Sequence, residues 1–228
     1  EYMRLGVRDR YLANDAHQTS KHRQLGVWFK RQPVDARRIQ EEPWQWQQAR
    51  SWVRLRQCLT NESLFERLLD VNDGLELLGY WRAMPGFRYA DLEAIYRKAW
   101  RRWDSLTQWS DISRLAFRLC NFLQSRGASG EFVLILAKLV LQLDRGAAGD
   151  RPSYGAALSL IGVTCLDRGD IVGAKQYLEA ALEMSLVSGC DAAERVRARF
   201  NFAKVLLAED DLQAAGSLLR QVVEDART

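Results

Sequence analysis

The pattern of apolar and polar residues predicts an almost entirely helical chain. From residue 13 onward, apolar residues recur at spacings of three and four, which is the spacing of one face of an α-helix. Beyond Leu12 no stretch alternates between apolar and polar residues for more than a few positions, and the chain contains only four prolines. We therefore predict an all-α fold.

The first 12 residues are the exception to this pattern. Here polar or small residues alternate with Met3, Leu5 and Val7, as in a β-strand. A lone short strand would leave its backbone groups unpaired, so we interpret residues 1–12 as the remnant of a small domain whose other strands lie upstream. The sequence does not begin with Met, and we expect Glu1 to be an internal position of a longer protein.

Residues 13–109 predict a stack of short, tryptophan-rich helices. All eight tryptophans lie between Trp28 and Trp109, and we place a domain boundary near residue 110. The first helix is expected to bury Leu25, Trp28 and Phe29. Pro43 is expected to begin a new helix after one that spans 36–42, because proline is tolerated in a first helical turn. The predicted N-caps of this region are Asn14 or Asp15, Asp35, Ser51, Asn61 and Asp73.

The stretch 155–182 has the clearest pattern in the chain, namely two helices joined by a short turn. A glycine inside a helix costs about 1 kcal/mol relative to alanine, so Gly162 needs a structural reason. We predict that Gly162 and Ala174 face each other where the two helices cross, with Gly169 in the turn and Ala181 on the same face as Ala174.

This pattern of small residues resembles a tetratricopeptide repeat. Cys165 and Leu178 stand where that family prefers aromatic residues. A second copy spans 196–223, with Ala215 at the crossing, and a degenerate copy spans 111–138, with Gly130 at the crossing. The period is close to 42 residues. The resemblance implies that residues 110–228 form an α-solenoid of helix hairpins, preceded by the tryptophan-rich stack.

The same resemblance implies a ligand-binding groove lined by the first helix of each repeat. Its contact positions fall on three sets of residues: Ile112, Leu115, Leu119 and Phe122; Ala156, Ser159, Val163 and Leu166; and Arg197, Phe200, Lys204 and Leu207. The candidate partner groove consists of Ser159, Val163, Leu166, Arg197, Phe200, Lys204 and Leu207. An apolar groove with cations at one end suits a helix or peptide that carries a carboxylate. The alternative is that neighbouring helices cover these apolar positions.

A second resemblance covers roughly residues 5–82. The run His22-Arg23-Gln24-Leu25 and the run Glu42-Pro43-Trp44 are similar to the segment that follows the winged helix in nephrocystin-3-like NTPases of the STAND/NACHT type. Trp46 and Ser51 stand where Leu and Asp are more usual. The resemblance implies that residues 1–12 end the winged helix. It also implies that the repeats sense a protein ligand or another subunit of the same signal-transduction assembly.

The distribution of charge leaves open one alternative to protein binding, namely nucleic-acid binding. Residues 1–60 carry 12 Lys/Arg and 6 Asp/Glu, although the whole chain has a net charge of only +4. A predicted helix over 86–109 adds a second basic cluster in residues 97–102. Both regions would suit a nucleic-acid-binding helical module, which salt-dependent binding would reveal. The simpler interpretation is that these cations are solvated.

No motif for catalysis, cofactor binding or metal binding is present. The sequence lacks a phosphate-binding loop, a GxGxxG run, an HExxH pair and a GxSxG elbow. The four cysteines and two histidines lack metal-ligand spacing, and reduced cysteines favour a cytoplasmic protein. No apolar run reaches the roughly 18 residues of a membrane helix. We expect a non-enzymatic interaction module without cofactors.

Overall fold

The computed structural model describes residues 14–103, 109–128, 130–145, 152–186 and 192–225. All regular secondary structure in these ranges is helical, which confirms the predicted all-α fold. The predicted strand in residues 1–12 lies outside the described residues, as does Cys190. The α-helices are α1 (Asp15–Lys30), α2 (Ala36–Gln48), α3 (Trp52–Leu59), α4 (Glu62–Asp70), α5 (Leu75–Arg82), α6 (Asp91–Trp103), α7 (Trp109–Gln124), α8 (Glu131–Arg145), α9 (Pro152–Asp167), α10 (Ile171–Leu186), α11 (Ala192–Ala208) and α12 (Leu212–Asp225).

The chain divides into two compact units. The N-terminal unit is Glu1–Asp91 and the C-terminal unit is Leu92–Thr228. This division lies upstream of the boundary that the sequence predicts near residue 110. The difference concerns α6, whose Glu93 accepts a hydrogen bond from the backbone N–H of Phe132 at 3.1 Å. Its contacts therefore tie α6 to the repeat region.

The N-terminal unit is built on the antiparallel pair α1 and α2. The α2 helix also contacts α3, α4 and α5, so it forms the centre of this unit. The largest fully buried side chains of the N-terminal unit include Trp46 of α2, which is 1% exposed, and Trp81 of α5, which is 0% exposed. Gly26 lies against the Trp46 ring, because a Cβ atom at this glycine would lie 2.8 Å from Trp46 Cδ2.

The N-caps in this unit agree with the sequence in three cases. The side chains of Asn14, Asp35 and Asn61 accept hydrogen bonds from the first turns of α1, α2 and α4. Ser51 makes no side-chain cap. Asp73 lies in a short 3₁₀ turn, Asn72–Gly74, and Gly74 occupies the position before α5.

The prediction of a helix break at Pro43 is wrong. The α2 helix continues through Pro43, which is buried, as Ala36–Gln48. Glu42, beside this proline, is 2% exposed and bonds to two side chains one turn away on either side. Arg38 Nε donates to it at 2.7 Å and Trp46 Nε1 donates at 3.2 Å. These two hydrogen bonds hold together the helical turns on either side of Pro43, whose nitrogen cannot donate a backbone hydrogen bond.

The C-terminal unit consists of α6 and three helix hairpins, α7–α8, α9–α10 and α11–α12. Within each hairpin the two helices contact each other, and each hairpin also contacts the next one. This successive packing confirms the predicted α-solenoid of tetratricopeptide-like repeats. Three buried alanines of the signature, Ala174, Ala181 and Ala215, are at most 2% exposed.

The three hairpin turns share one backbone geometry at nearly constant spacing. Gly127, Gly169 and Asp210 each have a positive φ, of 82°, 80° and 64° respectively. In the second turn the N–H of Gly169 donates to Leu166 O and that of Asp170 donates to Cys165 O, both at 2.9 Å. This is a Schellman motif, which satisfies the last carbonyl groups of a helix. The three turn residues lie 42 and 41 positions apart, as the predicted period requires.

The glycine at the α9–α10 crossing faces a different residue from the predicted one. A Cβ atom at Gly162 would lie 2.8 Å from Leu178 Cδ2 and 3.2 Å from the backbone nitrogen of Leu178. Leu178 is 0% exposed. The close approach therefore joins Gly162 to Leu178, one turn beyond Ala174. Gly130 is likewise not a crossing residue, because its Cα faces the Glu93 carboxylate of α6.

Candidate partner-binding surface

The first half of the predicted groove lies on α9. This helix contacts both α7 and α11, so the three first helices of the hairpins are neighbours. Ser159 is buried, and Val163 and Leu166 are half-buried. Gln124 of α7 reaches across to α9, where its Nε2 donates to Leu160 O at 2.9 Å and lies 3.0 Å from Thr164 Oγ1. The α9 positions therefore supply at most a partly open apolar floor.

The second half of the predicted groove lies on α11 and faces solvent. Arg197, Phe200, Lys204 and Leu207 follow one another at spacings of three and four, so they form one stripe along the helix. Phe200 is 46% exposed and Leu207 is 49% exposed. Lys204 Nζ lies 4.7 Å from the centre of the Phe200 ring and 3.3 Å from Asn201 Oδ1. We call these four residues the α11 stripe.

The opposite side of α11 fixes the orientation of this stripe. Ala198, Ala203 and Val205 are buried in the repeat core, and Arg199 forms an ion pair with Asp225 at the end of α12. Because these contacts hold the helix on its other faces, the apolar atoms of Phe200 and Leu207 remain directed to solvent. Aromatic residues and Arg are enriched at protein–protein interfaces, so the α11 stripe is a candidate binding surface.

The predicted contact positions on α7 do not line a groove. Ile112, Leu115, Leu119 and Phe122 are at most 4% exposed. The ring of Tyr96, on α6, meets that of Phe122 edge to face with 5.8 Å between their centres. A neighbouring helix therefore occupies the place of a ligand here, which is the alternative interpretation of these positions.

The basic cluster at residues 97–102 is partly engaged in the fold. Arg97 forms an ion pair with Glu93 at 3.2 Å, and its guanidinium lies 5.5 Å from the centre of the Phe132 ring. Lys98, Arg101 and Arg102 are exposed. Only part of this cluster is therefore presented to solvent.

The α1 helix exposes a surface that the sequence did not predict. Leu25 and Trp28, predicted to be buried, are 43% and 48% exposed. Phe29 and Gly26 instead form the buried face of this helix. The signal was present in the sequence, since a glycine in the middle of a helix marks a close approach and hence the packed face.

Two of the described cysteine thiols are buried and unreactive. Burial raises the pKa of the Cys120 thiol to about 12, and burial together with the Glu42 carboxylate raises the pKa of Cys58 well above its usual value. Both thiols are thus protonated at neutral pH and poor nucleophiles. Among the described residues no three His, Cys, Asp or Glu side chains are grouped so that they could hold a metal ion. None of the described helices has the length and apolar character needed to cross a bilayer.

Comparison with known proteins gives structural neighbours only. No protein-family model and no curated protein matches the sequence. The fold is similar to a crystal structure of kinesin-light-chain-type, nearly identical TPR-like repeats from Podospora anserina, with a TM-score of 0.48 and 14% identity over 93% of this chain and 96% of that one. It is also similar to BtubC (BKLC) from P. vanneervenii, with a TM-score of 0.35 and 14% identity over 96% of this chain and 91% of that one.

Proposed function

We propose that the chain is a protein–protein interaction module whose repeats recognise a partner through the α11 stripe. The observation that carries this proposal is the exposure of Phe200 and Leu207 on a helix whose other faces are fixed. Because neither residue is needed in the repeat core, their apolar atoms are available to a partner.

The chemistry of the stripe favours an apolar segment that carries carboxylates. Phe200 and Leu207 offer apolar contacts, and Arg197 and Lys204 lie on the same stripe. No carboxylate of the described residues forms an ion pair with either cation. An amphipathic helix or extended peptide with Asp or Glu beside a large apolar residue would satisfy both features. Val163 and Leu166 would extend the apolar contact.

We further propose that the module belongs to a larger cytoplasmic signal-transduction NTPase. The resemblance of residues 5–82 to nephrocystin-3-like proteins supports this placement. The N-terminal unit would then link an ATPase to the repeats, and binding of a ligand or of another subunit would shift the ATPase between two states. The chain itself would be non-catalytic, and we expect neither ATP binding by calorimetry nor phosphate release from ATP.

A displayed library of random peptides tests the α11 stripe, because such a selection does not require the natural partner to be identified first. The library is selected on the whole chain, and the enriched peptides are then measured on purified variants by fluorescence anisotropy. We expect the enriched peptides to combine a large apolar residue with Asp or Glu. Phe200→Asp and Lys204→Glu should each weaken their binding by about tenfold or more, since such residues carry most interface energy.

The control variant is Val172→Asp, which places the same charge on α10 at a residue that is 71% exposed and outside the stripe. It should bind the peptides like the unmodified chain. Equal binding by Phe200→Asp and the control would show that the stripe is not the binding surface. ATP hydrolysis by the purified chain would contradict the non-catalytic assignment separately.

A further inference from the structure

The solvent side of α1 combines cations with an exposed tryptophan. Lys21, Trp28 and Arg31 lie on one stripe of this helix, at positions that the helical repeat brings to the same side. Arg23 and Lys30 are exposed on the other flank of the solvent side of α1, roughly 140–180° around the helix from Lys21 and Trp28. We call these five residues the α1 surface. Trp28 and Arg31 lie three residues apart, so the ring and the guanidinium are about one turn from each other.

The charge of this region is strongly one-sided. Beyond Asp15, the α1 helix contains no acidic residue. Among the described residues of 14–60, Asp15 and Asp35 are the exposed acids, whereas eight Lys and Arg side chains are exposed. No carboxylate of the described residues forms an ion pair with the four cations of the α1 surface. Their charge is therefore presented to solvent without neutralisation.

The tryptophan ring is held in place by its neighbours. Trp28 meets Phe29 edge to face with 4.8 Å between ring centres. Phe29 is 4% exposed, and the Arg37 guanidinium lies 5.8 Å from the centre of its ring. An anchored ring that is 48% exposed offers a flat apolar surface at little cost in side-chain entropy.

We propose that the α1 surface binds single-stranded nucleic acid that crosses the solvent side of the helix, with a base stacked on Trp28. Its phosphates would lie at Lys21 and Arg31 on the flank of the ring and at Arg23 and Lys30 on the other flank. Cations alone would attract any polyanion, but an aromatic ring among them matches the alternation of phosphate and base in an unpaired strand. In a duplex the bases are already stacked and would not engage the ring.

Two other anionic partners fit this surface less well. An anionic membrane would require a broad apolar helix face for insertion, yet Leu25 and Trp28 are the only large apolar side chains that α1 exposes, and the face at Gly26 and Phe29 is packed against the protein. An acidic peptide would pair with the cations, but only one that also carries a large apolar residue would contact Trp28, whereas every base of an unpaired strand has a ring face that can stack on it. This surface lies in the N-terminal unit, so the proposal is independent of the α11 stripe.

Fluorescence anisotropy with labelled oligonucleotides tests the proposal on the whole chain. The probes are oligouridine RNA and oligothymidine DNA of about 20 nucleotides, measured from about 50 to about 200 mM salt. Four phosphate contacts predict a slope of about −3 for the logarithm of affinity against the logarithm of salt concentration. The two probes also show whether the strand must be RNA or whether either backbone suffices.

Two sets of variants separate charge from stacking. Lys21→Gln with Arg31→Gln should bring the slope closer to zero by about 1 to 2, because two phosphate contacts are lost. Trp28→Ala should weaken binding about tenfold at constant charge, whereas Trp28→Phe should retain most of it. The matched charge control is Lys98→Gln with Arg101→Gln on α6, which should change little. Circular dichroism on each variant verifies that the fold is intact.

Several results would overturn the proposal. One is the lack of binding to either oligonucleotide at low salt, and another is an equal loss in the α6 control. If polyglutamate competes as well as the oligonucleotide while Trp28→Ala binds normally, the surface is a docking site for acidic proteins instead. Binding to anionic vesicles but not to oligonucleotides would assign it to membranes.

Discussion

The α1–α2 and α9–α10 hairpins both rely on a glycine at the helix crossing, but against different neighbours. In the first hairpin a Cβ atom at Gly26 would lie 2.8–2.9 Å from three atoms of the Trp46 ring. In the second, a Cβ atom at Gly162 would meet the side chain of Leu178. The same sequence feature thus marks a backbone-to-ring contact in one unit and a backbone-to-aliphatic contact in the other.

The two neighbours differ in how far they could move. The Trp46 ring donates a hydrogen bond to Glu42, carries the Arg54 guanidinium 5.4 Å from its centre and is almost fully buried. Leu178 has no polar partner to lose and changes position through ordinary rotamers. Equal glycine signals therefore predict unequal tolerance to substitution, with the crossing at Gly26 the less tolerant of the two.

The largest expected effect is that of Gly26→Leu. It should lower the free energy of unfolding by about 3 kcal/mol, the upper end for overpacking, since displacing the buried Trp46 ring would break its contacts with Glu42 and Arg54. Urea unfolding followed by circular dichroism measures this loss. The control is Gly79→Leu on α5, where a new Cβ would have no neighbour within 4 Å. Replacing glycine in a helix there should be neutral or stabilising.

A second variant verifies that the ring is the cause of the Gly26→Leu effect. In a Trp46→Ala background, which itself should cost about 3–5 kcal/mol, Gly26→Leu should be much less destabilising because the clash is gone. If Gly26→Leu costs the same in both backgrounds, then the contact between α1 and the Trp46 ring does not limit this hairpin.

Gly162→Leu should have a smaller effect, a loss of about 1–3 kcal/mol. Leu178 would shift to another rotamer and absorb part of the overlap, although its backbone nitrogen would lie 3.2 Å from the new Cβ atom. The matched control in the same unit is Gly216→Leu on α12, which has no neighbour within 4 Å. Thermal unfolding in which Gly162→Leu equals this control would contradict the assigned crossing.

The hairpins of the C-terminal unit were largely predictable from sequence, because small residues and turn residues recur at a fixed period. Gly169, Ala174, Ala181 and Ala215 all lie at the buried or turn positions that the pattern required. The partner of Gly162 was not predictable, since Ala174 and Leu178 share one helix face and only the crossing angle chooses between them. The same limit applies to Gly130, which meets α6 rather than a crossing helix.

The N-terminal unit was harder to predict, because its helices are short and their apolar faces are marked by few residues. Trp28 and Trp46 carry the same apolar signal, yet one is exposed and the other is buried. Sequence alone places Pro43 at a helix start, because it does not reveal that Glu42, Arg38 and Trp46 bond around this proline. The candidate groove came from the resemblance to tetratricopeptide repeats, which does not reveal that α6 covers α7. Phe200 and Leu207 are exposed, and the binding role of the α11 stripe stays a prediction.

The smallest expected effect concerns the turns that close the hairpins. The α9–α10 connection needs φ of 80° at Gly169, whereas none of residues 31–35, which connect α1 to α2, has a positive φ. Gly169→Ala should therefore cost about 1 kcal/mol, since an L-residue with a side chain is strained in this region. Asp210 already has a positive φ, of 64°, at the equivalent position of the α11–α12 turn. Asp210→Gly should therefore change stability by less than about 0.5 kcal/mol. Glycine relieves the backbone strain, but it also gives the unfolded chain more freedom, and the two effects offset each other. Urea unfolding of both variants measures the difference. A Gly169→Ala protein as stable as the unmodified chain would mean that the turn relaxes, and that the glycine is present for a reason other than its backbone conformation.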